Sequence, residues 1–344
     1  MQLGRFATLS LAVLIGCGGA GARETMRDTK PAAAPRSASS ALASWNDVPS
    51  RRAIVDFVER VTTEGSRDYV APDARIAVFD NDGTLWAEQP MPFELAFAVD
   101  RVRELAPSHP EWRAREPFAG ILRGDVAGAM ERGGRRGIAE LIAATHGEMT
   151  PEEFERVVRE WMSTARHPRY DRRYSELVYQ PMLELLDYLR AHEFRVYIVS
   201  GGDTDFMRAW AEDLYGVPPA HVIGSQAQLR LERRGGVPTL VRGGEIEFVD
   251  DGPGKPIAIE RTIGARPIAA FGNSDGDHEM LSWVASGPGP RFVALVHHTD
   301  AEREFAYDRD ARSGRLAAAL DDAQRSGWTV IDMRDDWRVV YPPE

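Results

Sequence analysis

Three short apolar runs, Arg75 to Phe79, Arg195 to Val199 and Pro267 to Phe271, each break into Asp, Ser or Gly and are followed by a helical pattern. Phe292 to Val296 is a fourth such run, and Thr329 to Ile331 is a candidate fifth. Strands that alternate with helices build βα units, and βα units stack into a parallel sheet covered on both faces. The fold class is therefore α/β, with chemistry expected at the carboxyl ends of the strands. At 344 residues, 43% of them hydrophobic, the chain can fill such a core.

More than a hundred residues separate the first two runs without another strand-like segment. They hold amphipathic stretches instead, one through Leu95, Val99, Val102 and Leu105. Another starts at Thr150-Pro151-Glu152-Glu153, with a hydroxyl N-cap, Pro at the first helical position and acids in the first turn. This segment reads as a helical insertion. From Val222 to Val249 the pattern alternates across Gly235-Gly236, as a hairpin or two would.

The N-terminus is organised differently. Arg5 precedes an apolar run from Phe6 to Gly16, too short to cross a bilayer and suited to a signal peptide. Leu14-Ile15-Gly16-Cys17 resembles a bacterial lipobox, which implies cleavage before Cys17 and lipidation of that residue. Cys17 is the one cysteine of the chain, so no intramolecular disulfide forms and no thiolate zinc site can be built. Residues 18–45 are rich in Ala, Gly, Ser and Pro and read as a tether. The expected organisation is a signal peptide over 1–17, a tether over 18–45, a core over 46–91 and 182–344, and a helical unit over 92–181. The expected location is a bacterial envelope membrane, held only by the lipid and facing the periplasm. The formal net charge of −11 argues against nucleic acid as a partner.

The first run ends in Asp80-Asn81-Asp82-Gly83-Thr84. Two carboxylates two residues apart, where a strand breaks into a Gly turn, can bind a hard divalent cation or share the work of nucleophile and general acid. An acidic turn capped by Asp82 is the plainer reading. The second run ends in Val199-Ser200-Gly201-Gly202, with backbone N–H groups ahead of a helix suited to an anion. Gly254-Lys255-Pro256 then opens a helical run. Of the 42 Lys and Arg residues only Lys30 and Lys255 are lysine, so Lys255 is the sole lysine beyond the tether. Gly272-Asn273-Ser274-Asp275-Gly276-Asp277 follows the third run.

These four segments, in this order, resemble the four motifs of the haloacid dehalogenase superfamily. The resemblance spans about residue 75 to 281 and implies a Rossmann-like core with a helical cap between strands one and two, in a branch similar to phosphoserine phosphatases. It implies Asp80 as a nucleophile that becomes an aspartyl phosphate and Asp82 as general acid and then base. Ser200, Gly201 and Lys255 would hold the phosphoryl oxygens. Magnesium would be bound by Asp80, Asp82, Asn273 and Asp277, with Asp275 as the alternative to Asn273. Asn273 stands where the family places an acidic ligand. The residue nine beyond the nucleophile, a Glu in phosphoserine phosphatases, is Gln89 here.

The expected activity is thus magnesium-dependent hydrolysis of a small phosphate monoester such as phosphoserine or phosphocholine. A phosphotransferase would use the same residues, and a non-catalytic lipoprotein that binds a phosphorylated ligand is a third reading. Trp86 and Glu88 could together hold a cationic head group, or Trp86 could be packing between core and cap. The run Arg166 to Tyr174 could attract anionic substrates or form a solvated helix junction. Gly272 to Gly276 also fits G-x-S-x-G, which would make Ser274 an esterase nucleophile with His297 or His298 downstream. His146 reads as a surface or helix-end residue.

Overall fold

The computed structural model describes residues 42–343. The signal segment, Cys17 and nearly all of the tether lie outside the described residues. At the near end of that tether, Leu42 and Trp45 are buried, and the Ser44 hydroxyl donates to Glu184 at 2.8 Å. Among the described residues, packed structure thus begins at Leu42, four residues before the expected start of the core at 46, because these side chains close over the helix Gln180–Ala191.

Seven strands form one sheet in the order β4-β3-β2-β1-β5-β6-β7. They are β1 Ile76–Phe79, β2 Arg195–Asp203, β3 Val222–Arg234, β4 Val237–Phe248, β5 Ala269–Gly272, β6 Phe292–His297 and β7 Thr329–Asp332. All neighbours are parallel except β3 and β4, so the expected parallel sheet is present and all five expected strands lie in it. In β1 and β5 every residue is buried, as strands covered on both faces must be. Alternate residues feed separate cores. Ala77, Phe79 and Phe271 pack with Phe57 and Val58 of the helix Pro49–Thr62, while Ile76, Val78 and Ala270 pack with Ile259, Met280 and Leu281.

The chain runs outward from β1 to β2 and β3 on one side, then returns to β5, β6 and β7 on the other. That reversal leaves a crevice beyond the carboxyl ends of β1, β2 and β5, the position where open α/β sheets take their ligands.

Between β1 and β2 the insertion is helical, as expected. Phe93–Leu105, Val126–His146 and Pro151–Thr164 are its long helices, and Val99, Val102, Trp112, Phe118 and Ile121 form a core of their own. The Val126–His146 run is broken at Gly134, where φ is +53°. The Thr150 cap is built as its sequence predicts: its hydroxyl accepts from Glu153 N–H at 3.1 Å, and the Glu153 carboxylate accepts from Thr150 N–H at 2.8 Å. The alternating stretch after Val222 is a single hairpin. Its turn places Gly235 and Gly236 at φ +58° and +87°, a pair of left-handed residues that favours glycine.

The hairpin joins the insertion through Arg242, which is fully buried. Arg242 donates to Asp203 at 2.6 Å, to Asp205, and to the His146 carbonyl at 3.1 Å, and lies over the Phe154 ring. His146 does end its helix, but it is buried beside Glu94 and not on the surface.

Candidate active site

Asp80 is the first residue beyond β1, and its N–H donates to the Phe271 carbonyl of β5 at 2.9 Å. Asp80 is thereby fixed to two strands at once. Lys255, near the start of the helix Gly254–Ile263, reaches the same point: its ammonium donates to Asp80 Oδ1 at 2.5 Å, to Asp277 Oδ1 at 2.7 Å and to the Val199 carbonyl at 2.9 Å. Burial opposes the Lys255 charge, but Asp277 and Asp80 outweigh it and hold the amine above its usual range. Burial, reinforced by Asp277, pushes the Asp80 carboxyl well up against the pull of Lys255.

The other oxygen of Asp277 accepts from Asn273 N–H and Ser274 N–H, both at 3.0 Å, and from the Ser274 hydroxyl at 3.2 Å. Both carboxylate oxygens are committed, so Asp277 positions Lys255 and closes its own loop. Asp275 is also committed: Oδ1 accepts from Ala317 N–H and Ala319 N–H, capping the start of the helix Ala318–Ser326. Ser274 bonds to Asp277 and Gly276, while His298 is turned to the Gly83 carbonyl and His297 to Asp308. No Ser-His-acid triad is assembled there, and the esterase reading falls.

Asp82 accepts from Trp86 Nε1 at 2.6 Å. Burial first, then the neighbouring Glu88 charge, raises its carboxyl to about 7, where one group can give and take a proton near neutrality. Trp86 itself is fully buried, stacked on Trp210 at 4.3 Å and tilted against Phe93, so it is packing and not one wall of a cation box.

Glu88 is the residue that the pattern of motifs does not reveal. Its carboxylate, buried beyond the turn, accepts from Asn273 Nδ2 at 2.6 Å, from the Tyr307 hydroxyl at 2.8 Å and from the Ser313 hydroxyl at 3.0 Å. Burial raises its pKa, and these donors oppose the rise. The available signal was joint: a spare acid after the first motif in a chain that lacks the acid at position 273. Gly83, at φ +72°, lies against this pair, and a Cβ there would come within 2.0 Å of Asn273 Nδ2 and 2.3 Å of Glu88 Oε1. Gln89 donates to the Ser313 carbonyl at 3.0 Å and is held away from a substrate role.

Ser200 lies in β2, where the pairing with β3 shifts register, and its hydroxyl oxygen accepts from Gly202 N–H at 3.3 Å. The hydroxyl hydrogen therefore remains free for an anion. The helix N-terminus beyond it does not serve as expected, because the Asp203 carboxylate takes the N–H groups of Asp205 and Phe206, and Asp203 N–H itself donates to Glu94. Arg166 to Tyr174 is a structural junction: Arg169 and Arg172 bind the carbonyls of Ala301 and Pro342, and Arg173 pairs with Glu176.

Among the described residues no group of three or more His, Cys, Asp or Glu side chains is arranged to hold a metal. The oxygen donors linked there, through Lys255 and Asp277, are instead a carboxylate and an amide. Asp80 has one oxygen directed to Lys255, and Asn273 Oδ1 accepts only from the Thr84 hydroxyl, at 3.2 Å. These hard oxygens on adjoining loops fit a cation such as magnesium, with Glu88 supplying from behind the amide the charge that Asn273 lacks.

The described fold and these four loops define a Rossmann-like α/β protein with an aspartate pair and a lysine at its switch point and a helical insertion after the first strand. The chain belongs to the haloacid dehalogenase-like hydrolase family, whose model matches residues 77–282, more than half of its length. A conserved protein of unknown function from Anaerococcus prevotii shares the fold at 16% identity and a TM-score of 0.50, over 80% of this chain and 88% of that one. A protein of unknown function from Bordetella pertussis aligns at 18% identity and 0.47, over 75% and 98%. A probable phosphoserine phosphatase from Vibrio cholerae aligns at 16% and 0.35, over 74% and 68%. No curated protein matches the chain.

Proposed function

We propose that the protein is a magnesium-dependent phosphomonoester phosphatase that works through an aspartyl phosphate on Asp80. The observation that carries this reading is the Asp80–Lys255–Asp277 chain, which fixes a carboxylate beside a buried ammonium in the crevice of the sheet.

Asp80 attacks phosphorus, and the bond to the ester oxygen breaks as Asp82, neutral below about 7, delivers a proton to that leaving oxygen. The Asp82 carboxylate then takes a proton from water as that water attacks the acyl phosphate, releasing phosphate and restoring Asp80. Ser200, Gly201 and Lys255 face the phosphoryl oxygens, where a fixed hydroxyl and ammonium favour the charge of the transition state. Asp80, Asn273 and the turn at Asp82 would hold magnesium, which would supply charge neutralisation between the nucleophile and its anionic substrate. The inserted helices act as the cap that shapes the site.

No described helix is long and apolar enough to cross a membrane. The reading of Cys17 as a lipid anchor that holds the protein at a bacterial envelope membrane rests on its lipobox-like surroundings. Cys17→Ala is expected to move the protein to the soluble fraction, and unchanged membrane fractionation would remove the anchor. For the activity, phosphate release from an aryl phosphate is expected to require magnesium and to vanish in Asp80→Asn. Release that persists in a folded Asp80→Asn protein would overturn the mechanism. Added alcohols that divert phosphate into new esters would assign phosphotransfer instead.

A further inference from the structure

The cavity over Asp80 and Asp82 measures about 1090 Å³, at the upper end of the range for small-molecule sites, and its two ends differ in chemistry. Near the aspartates it is lined by Ser200, Lys255 and Ser274. Away from them it is lined by Met91, just ahead of the first inserted helix, and by Leu95, Met130, Ile138 and Ile142 of the inserted helices. None of these five is buried, and Ile138 is 45% exposed, whereas Phe97 and Val102 of the first inserted helix are fully packed. Concave aliphatic surface left in contact with water favours an apolar occupant.

The polar groups that might instead recognise a small zwitterion are already engaged. Gln89 is bound to Ser313, Glu88 holds Asn273, and Glu94 accepts from Asp203 N–H at 2.8 Å and lies 3.3 Å from His146. Of the other charged side chains that line the cavity, Glu131, Asp251, Arg312 and Arg315 are exposed to solvent.

We propose that the ester this site takes carries an apolar body: a phosphate monoester of an aliphatic alcohol, with its chain laid along Leu95, Met130 and Ile142. This proposal rests on the phosphatase reading. The reaction is unchanged, and the chain contributes binding remote from phosphorus, which serves catalysis by orienting the ester.

The test is a series of n-alkyl phosphates from ethyl to octyl, used below their micellar concentrations, with two readouts. The first is kcat/KM for phosphate release by the full chain with magnesium. The second is the Kd of the same esters for Asp80→Asn, measured by calorimetry, which does not depend on turnover. Each added methylene is expected to raise kcat/KM and tighten Kd about two- to fourfold until the chamber is filled. In Leu95→Gln/Ile142→Gln, with Met130→Gln as a second variant should the first melt early, the octyl-to-ethyl ratio is expected to collapse. Release that is independent of chain length, or a ratio unchanged in both variants, would overturn the apolar chamber and leave the phosphatase standing. Kd values that tighten with chain length without release from any ester would keep the chamber and overturn the phosphatase.

Discussion

The contact between Glu88 and Asn273 permits a charge-swap experiment with a calculable result. Asn273→Asp places a second carboxylate against Glu88, where the amide now donates at 2.6 Å. Two like charges about 4 Å apart, at an effective dielectric of about 20, repel by about 4 kcal/mol. The lost hydrogen bond to a charged acceptor adds roughly 1.5–3 kcal/mol. In chelator at pH 8 the single variant should therefore lose about 4 kcal/mol or more of unfolding free energy, measured by urea denaturation. Glu88→Gln alone keeps an acceptor for Asn273 and should change stability by about 1 kcal/mol or less. The double variant Glu88→Gln/Asn273→Asp restores an amide-to-carboxylate pair in reverse and should recover most of the loss, giving a coupling of about 3–4 kcal/mol. The carboxyl of Glu88 already sits above its usual range through burial, so lowering the pH protonates one partner and the Asn273→Asp penalty should shrink toward pH 5. Additive costs, or a single variant that loses less than about 1 kcal/mol at pH 8, would refute the reasoning.

Other outcomes follow from groups whose partners are equally specific. Lys255→Met leaves Asp80 and Asp277 facing each other without their shared cation, and should cost about 3–5 kcal/mol in denaturation and at least about 10²-fold in kcat. Arg242→Met strands the buried Asp203 and the half-buried Asp205 carboxylates and should cost about 3–5 kcal/mol, with protease cleavage of the hairpin as a second readout. Asp250 is fully buried, neither carboxylate oxygen has a hydrogen-bond partner, and burial raises its carboxyl to about 7. Its folded value exceeds the ordinary 3.8, so the protonated form favours folding and that advantage is lost as pH rises from about 4 through 7. Asp250→Asn should therefore raise the melting temperature at pH 8, by up to about 4 kcal/mol of stability, and give no gain at pH 4. A melting curve shifted equally at both pH values would contradict this.

The parallel sheet and the helical insertion were legible because strands buried on both faces show as apolar runs, and because Thr150, Pro151 and Glu153 spell out a helix start. The positions of Asp80, Ser200 and Asn273 followed from the residues that end those runs, and that of Lys255 from its being the sole lysine beyond the tether. What could not be read was which polar groups would find partners inside the molecule. Asp275 and Asp277 are two residues apart and equally acidic, yet one caps a distant helix at Ala317 and Ala319 while the other holds Lys255. For Trp86 and Glu88 the sequence left open a joint recognition unit and packing by Trp86 between core and cap. In the structure the tryptophan faces Trp210 and the carboxylate faces Asn273, more than 180 residues away in sequence. Such pairings depend on long-range packing of the loops after β1 and β5, which no local pattern encodes.

The most direct test of the account is the covalent intermediate itself. Borohydride added during turnover of an aryl phosphate reduces an acyl phosphate to the alcohol, and peptide mass spectrometry then locates the modified residue. The account predicts homoserine at position 80, dependent on substrate and absent when the ester is omitted. Undiminished phosphate release with no reduction at Asp80, or with reduction at another carboxylate, would contradict it.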